Sequence, residues 1–241
     1  MKAILHTRYG PPEGLLYQEV ETPTPKENEI LVRVHAATVN RTDSGNLRAQ
    51  PFVIRFITGL RQPNNLATGT DFAGEVAAIG KNVKEFAPGD RVFGFDDSGL
   101  SSHAEYLTIP IDKGLDIMPD DISYEEAAAS LEGAHYARNF LNKVDLKPDS
   151  RVLINGATGA IGSAMLQLVK ARGAYVTAVC NTKNLKLIKL LGADRVIDYE
   201  KEDFTLDEER YHFVFDAVGK STFRRCKSLL LSGGVYISSE L

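Results

Sequence analysis

Apolar positions along this chain follow two rhythms, and the change between them divides it. Val152, Leu153 and Ile154 form an unbroken apolar run of the kind shown by a strand buried on both faces. From Ile161 onward apolar residues recur at helical spacing, at Ile161, Ala164, Met165, Leu168 and Val169. The alternation continues: residues 174–180 (AYVTAVC) read as a strand and residues 185–191 as an amphipathic helix closed by Gly192. Residues 195–198 (RVID), 211–217 (YHFVFDA) and, after a turn at Gly233-Gly234, 235–239 (VYISS) read as further strands. Strands alternating with helices predict parallel βα units with right-handed crossovers, hence an α/β fold built on a doubly wound sheet.

The first 122 residues have another texture, with more Pro and Gly, short strands and few helical stretches, and predict a separate β-rich domain. Residues 29–37 (EILVRVHAA) alternate so that Ile30, Val32, Val34 and Ala36 face a core while His35 points to the surface. The polar run from Thr38 to Gly45 follows directly, and reads either as a site at a strand end or as a capped turn before a helix. Residues 46–67 form a long connection carrying Arg48, Arg55 and Arg61 among Phe52, Ile54, Phe56 and Ile57, of a length typical of a binding loop or lid.

Chemistry concentrates in the turn Gly156-Ala157-Thr158-Gly159-Ala160-Ile161-Gly162 between the first parallel strand and its helix. Three glycines at this spacing suit a dinucleotide, the first making a tight turn, the second admitting the pyrophosphate and the third letting helix and strand pack closely. An ordinary strand-to-helix turn is the alternative, and the βα units that follow weigh against it. Ligands of such sheets bind at the carboxyl ends of the strands, which places Asn181, Thr182, Tyr199, Ala217, Val218 and Gly219 around the cofactor. About 20 residues past the glycines, where an NAD site carries an acid for the ribose, the chain reads Asn181-Thr182-Lys183-Asn184. With no carboxylate there and Lys183 adding positive charge, NADPH is expected over NADH, a merely solvated lysine being the other reading.

Bulk properties narrow the field. With 28 basic and 32 acidic residues interspersed, net charge −4 and no basic block, neither nucleic acid nor a membrane is the expected partner. Two cysteines without framework spacing fit a reducing cytoplasm, and no signal peptide or membrane-spanning run is read in the chain.

The segment of residues 69–80 (GTDFAGEVAAIG), the turn Pro88-Gly89-Asp90-Arg91-Val92, the glycine fingerprint and Asp216-Ala217-Val218-Gly219 together resemble the medium-chain dehydrogenase/reductase superfamily, nearest its zinc-free quinone oxidoreductase-like branch. The resemblance implies a GroES-like substrate and catalytic domain over residues 1–122 and a Rossmann-type dinucleotide-binding domain over residues 123–241. Where zinc-dependent members have a ligand cysteine and histidine this chain has Asn40 and Thr70, and residues 93–103 lack their four-cysteine lobe. Asp71 alone survives beside the stray His103 and His135, so no metal is expected. It further implies that Arg41 reaches the cofactor diphosphate. His135, where relatives have threonine, would donate to the carboxamide or to the substrate oxygen, or simply pack.

The reaction so implied moves a hydride from NADPH to a quinone or an α,β-unsaturated carbonyl, with Asn40 and His135 stabilising the oxyanion, water supplying the proton and Asp43 orienting the Asn40 loop. Full-length relatives continue beyond residue 241 with a sixth strand and a returning segment and pair as homodimers. This chain is expected to end its sheet on an open edge at Glu240-Leu241, with the homodimer in question. Two alternatives follow: a non-catalytic nucleotide-binding remnant or structural protein, and a zinc-dependent alcohol dehydrogenase, the latter disfavoured by its missing ligands.

Overall fold

The computed structural model describes residues 1–64, 67–97 and 99–239, leaving aside the side chains of Ile54 and Ile57. The chain divides into two compact units, Met1–Leu131 and Glu132–Leu241.

The first unit opens with an antiparallel hairpin of β1 (Lys2–Leu5) and β2 (Leu16–Glu19). Next come β3 (Glu29–Ala36), α1 (Arg41–Arg48), the short α2 (Arg55–Thr58), β4 (Asp71–Ile79), β5 (Arg91–Phe95), β6 (Tyr106–Pro110) and β7 (Leu115–Ile117). These five strands form an antiparallel sheet in the order β6-β3-β4-β5-β7. The alternation read in β3 is the packing observed: Ile30 and Val32 are fully buried beside Phe72, Val76, Val92, Leu107 and Ile109. Val34 packs against the same cluster, and exposed His35 stacks on Tyr124 with ring centroids 4.3 Å apart. The long connection carries secondary structure of its own. It contains the end of α1, a left-handed Ala49 that stops that helix, a 3-10 turn over Phe52–Ile54, and α2. Asn65 and Leu66, within that connection, lie outside the described residues.

Helix α3 (Tyr124–Leu141) runs across the division between the units. The second unit continues with β8 (Arg151–Asn155), α4 (Ala160–Ala171), β9 (Tyr175–Cys180), α5 (Leu185–Leu190), β10 (Arg195–Asp198), β11 (Tyr211–Asp216), α6 (Phe223–Cys226) and β12 (Leu230–Ser238). All five strands are parallel, in the order β10-β9-β8-β11-β12. From β8 the chain steps outward to β9 and β10, then returns past β8 to lay down β11 and β12, so the direction of winding reverses between β8 and β11. That reversal opens a crevice at the carboxyl ends of these two strands.

The strands read as continuous apolar runs because both faces are covered. Val152, Ile154, Val176, Ala178 and Phe215 pack on one side with Met165, Leu166 and Val169 of α4 and Ala137 and Leu141 of α3. Leu153, Val179, Ile197 and Val214 pack on the other with Cys226 and Leu229. One element differs from its sequence reading. Gly233-Gly234 is not a turn before the last strand but a bulge inside it, since Tyr211 pairs with Leu230 and Phe213 already with Val235. Glu240 and Leu241 lie outside the described residues, and no described helix is long and apolar enough to cross a membrane.

Candidate functional site

The glycine turn sits at the crevice. Gly156 leaves β8 with φ +80°, a conformation that side chains disfavour, and a Cβ there would stand 1.8 Å from Val218 Cγ2. Gly162 lies on the first turn of α4, where a Cβ would come within 2.2 Å of the Gly156 carbonyl oxygen. Both glycines are therefore demanded by the protein itself. Gly159 is not: as the N-cap of α4 it has ordinary extended angles, φ −76° and ψ 166°, and its nearest Cβ neighbour would be 3.6 Å away. The space in front of it is open. Thr158, Gly159 and Ala160 are exposed, Ile161 is half-buried, and Ala157 is buried with its N–H donating to the Val179 carbonyl at 3.1 Å. The first N–H groups of a helix have no partner within it, so α4 presents donors and the positive end of its dipole at this opening.

Ala217, Val218 and Gly219 face the same crevice from β11. Their loop is held by Asp216, whose fully buried carboxylate takes Asn155 Nδ2 (3.0 Å), Val218 N (3.2 Å) and Gly219 N (3.0 Å) on Oδ1. Its Oδ2 takes Ser221 N (2.7 Å) and the Tyr236 hydroxyl (3.2 Å). Burial, followed by the charge of Asp216, pushes Tyr236 up to about 12. No cation accompanies Asp216 among these contacts; N–H and O–H donors alone hold the charge. Sequence reading placed Asp216 in a motif without giving it a task, although an acid at a strand end before a small-residue loop is the available signal. Gly133 was missed as well. A Cβ on this α3 glycine would lie 2.5 Å from the Ala160 carbonyl oxygen, so it allows α3 to pack against the start of α4. An isolated glycine inside a helical pattern is its mark.

Beyond β9 the structure brings together residues that lie apart in the sequence. Asn181, Thr182 and Lys183 follow β9 as expected, but the carboxylates absent from that stretch arrive from the end of β10 and the turn after it. Asp198 Oδ2 accepts the Thr182 hydroxyl at 2.6 Å, and Glu200 Oε2 accepts the Thr182 N–H at 3.1 Å. The Thr182 hydroxyl, then the N–H of Glu200 and the ammonium of Lys201, hold Asp198 below the usual carboxylate range. Both donors of Thr182 are thus already engaged by acids, a contact between neighbouring segments that spacing within one segment does not reveal. Lys183 and Tyr199 are exposed, and Asn181 accepts a hydrogen bond from Asn184 at 2.7 Å. Burial, followed by the charge of Asp198, pushes the Cys180 thiol up.

In the first unit Asn40 caps α1. Its Oδ1 accepts Asp43 N at 2.9 Å while Asp43 Oδ2 accepts Asn40 N at 3.0 Å, a reciprocal capping box. Asn40 Nδ2 donates to Thr70 Oγ1 at 2.8 Å, with longer contacts to Asp71 Oδ2 (3.3 Å) and Thr38 Oγ1 (3.5 Å). Thr38 in turn gives Asp71 its N–H (2.7 Å) and hydroxyl (2.5 Å). His103 bridges Thr68 Oγ1 and the Thr38 carbonyl, both at 2.8 Å, and lies 3.9 Å from Asp43 Oδ2. Burial pushes the Asp43 carboxyl up against the opposing pull of the Asn40 N–H and His103. Asp43 Oδ1 is buried without a partner. Asn40 and Thr70, the positions at which the resemblance leads one to expect zinc ligands, are hydrogen-bonded to each other. Among the described residues no group of three or more His, Cys, Asp or Glu side chains is placed to hold a metal ion.

Arg41 is exposed at the first position of α1. His135 belongs to the second unit. It is exposed on α3 and shares a 3.0 Å hydrogen bond with Asn139 one turn on, so the packed core histidine is not what forms.

Comparison with known proteins adds to this geometry. The profile of the alcohol dehydrogenase GroES-like domain matches residues 26–117, and that of zinc-binding dehydrogenases matches residues 160–239. A zinc-type alcohol dehydrogenase-like protein of Schizosaccharomyces pombe is 33% identical over 94% of this chain and 68% of its own length. A chloroplastic quinone-oxidoreductase of Triphysaria versicolor is 34% identical over 83% of this chain and 61% of its own length. Among solved structures, Escherichia coli quinone oxidoreductase complexed with NADPH superposes with a TM-score of 0.83 at 29% identity, over 99% of this chain and 72% of that one. This chain thus spans 58–68% of the length of the curated relatives it matches.

Proposed function

We propose that this chain, which belongs to the medium-chain dehydrogenase/reductase superfamily, is an NAD(P)H-dependent oxidoreductase that reduces quinones or α,β-unsaturated carbonyls without a metal. The observation that carries the reading is Gly159: a glycine its own fold does not need, at the amino end of α4, facing open space at the reversal point of a parallel sheet. A pyrophosphate there would accept N–H donors from residues 160–162 and use the room a methyl group would fill. Ala217, Val218 and Gly219, fixed through Asp216, form the opposite wall, and Tyr199 with Asn181 to Lys183 flanks the adenosine side. When bound, the reduced nicotinamide supplies the hydride.

The protein's own part is positioning and charge stabilisation. One Asn40 amide hydrogen is committed to Thr70 at 2.8 Å, while the other has only the longer contacts to Asp71 and Thr38. That second hydrogen is the donor we assign to the developing oxygen charge of the substrate. The capping box with Asp43 fixes the Asn40 backbone, which makes Asp43 a positioning residue. His135 is a second candidate donor, with Asn139 orienting its ring. The donor set supports a metal-free reaction, since an amide nitrogen and a hydroxyl replace the thiolate and imidazole that zinc favours.

Support for NADPH comes from Lys183 and from the NADPH complex of the Escherichia coli protein. Asp198 and Glu200 act against a 2′-phosphate, so discrimination against NADH is expected to be modest. Oxidation of NADPH by 1,4-benzoquinone or an enone, before and after dialysis against a chelator, tests the proposal. Turnover that survives chelation is expected. Its loss, restored by zinc, would overturn the metal-free reading.

A further inference from the structure

A half-buried guanidinium without an acid stands in the first unit, in the connection that the proposed reaction leaves unused. Arg55 opens α2 with its guanidinium carbon 4.8 Å from the Tyr9 ring centroid and 5.2 Å from that of Phe52. Both rings are braced. The Tyr9 hydroxyl meets Thr58 Oγ1 and donates to the Gly59 carbonyl, each at 2.8 Å, and Phe52 meets Phe56 edge-on at 6.3 Å. No ion pair among the described residues involves Arg55, and its Nε is buried with no acceptor. Acids are missing from the whole neighbourhood in sequence: residues 44–70 contain three arginines and neither Asp nor Glu. Around this cation the apolar side chains turn outward, with Phe52 and Val53 62% exposed, Phe56 71% and Leu60 57%.

Each feature points to a ligand of one kind. With a ring beside it on two sides, the guanidinium keeps its edge for recognition, and that edge is a preset fork of N–H donors matched to a carboxylate. An orphaned buried donor calls for an acceptor that the protein does not supply. Clustered exposed apolar side chains call for an apolar body beside the charge. We propose that Arg55 anchors the carboxylate of an amphiphilic small molecule whose apolar part lies on Phe52 and Phe56. A quinone or enone needs no charge to accept a hydride, so this site goes beyond the reaction above and stands or falls without it.

Calorimetric titration of the full chain with 4-phenylbutanoate and with its neutral amide tests the site without any turnover. The wild-type protein is expected to prefer the anion by about tenfold, the scale of one charge-assisted contact. Arg55→Gln should abolish that preference and leave amide affinity within about twofold. Arg55→Lys, which keeps the charge but not the fork, should retain only part of it, and Phe56→Ala should weaken both ligands. Equal wild-type affinity for the two ligands overturns the proposal, and so does an unchanged preference in Arg55→Gln. If Arg55→Gln fails to fold by circular dichroism, the wild-type comparison decides alone. Co-sedimentation with phosphatidylserine vesicles without binding of either small ligand would assign the patch to a lipid surface and likewise overturn it.

Discussion

The three glycines of the α4 turn are expected to separate folding from cofactor binding when each is changed to alanine. Gly156→Ala forces a methyl into a left-handed conformation, about 1–2 kcal/mol, and drives it to 1.8 Å from a Val218 methyl group, adding overpacking of about 1–3 kcal/mol. Gly162→Ala meets a backbone oxygen at 2.2 Å, which cannot rotate away as a side chain can, and should cost about 3 kcal/mol. Gly159→Ala meets nothing closer than 3.6 Å at angles alanine readily adopts. The entropy it removes from the unfolded chain, about 0.4–1 kcal/mol, roughly offsets the loss of a better N-cap. Its net stability change should lie within about 0.5 kcal/mol. Yet the methyl occupies the approach of the pyrophosphate, so NADPH affinity should fall at least about tenfold, or roughly 1.4 kcal/mol. Urea unfolding and NADPH fluorescence titration on the same preparations read both quantities. A Gly159→Ala protein that binds NADPH as the wild type does would refute the placement of the pyrophosphate, however the other two variants behave.

Other expectations follow from the same contacts. Asp216→Ala strands several buried donors and should destabilise the second unit by about 3 kcal/mol or more in urea melts; a change below about 1 kcal/mol would contradict its role as an anchor. Replacing both Asp198 and Glu200 by their amides removes two negative charges beside Thr182 and should shift the ratio of NADPH to NADH affinity toward NADPH by up to about tenfold. An unchanged ratio would place the ribose elsewhere. Because the folded Asp43 carboxyl is raised above 3.8, its ionisation opposes folding: the stability it contributes is present below 3.8 and is lost as pH rises through the higher folded value. Asp43→Asn keeps the cap acceptor and should therefore gain stability relative to wild type across that window in pH-dependent urea melts; parallel curves would count against the buried charge.

What the sequence disclosed depended on how local the cause is. The parallel strands and α4 were legible because packing on both faces demands unbroken apolar runs and a helical stripe. Gly156 and Gly162 were legible because a positive φ and a close backbone approach each leave a glycine as the residue of record. The capping box joining Asn40 and Asp43 was legible as a capped turn, since both partners lie within one helical turn. Relations between segments were not. The acids that meet Thr182 come from the end of the strand next to β9 and the turn after it, and Asp216 gathers donors from β8, its own loop and β12. Gly233-Gly234 looked like a turn because a bulge and a turn use the same residues, and only the register with β11 tells them apart. The exposure of His135 depends on which face of α3 is buried, and α3 is uniform enough in sequence to hide it.

Binding of the reduced cofactor by the purified chain is the most direct test of the account. Titration of NADPH fluorescence is expected to show saturable binding in the micromolar range, weakened at least about tenfold by Gly159→Ala and untouched by a chelator. A chain that leaves both NADPH and NADH free at millimolar concentration would contradict it.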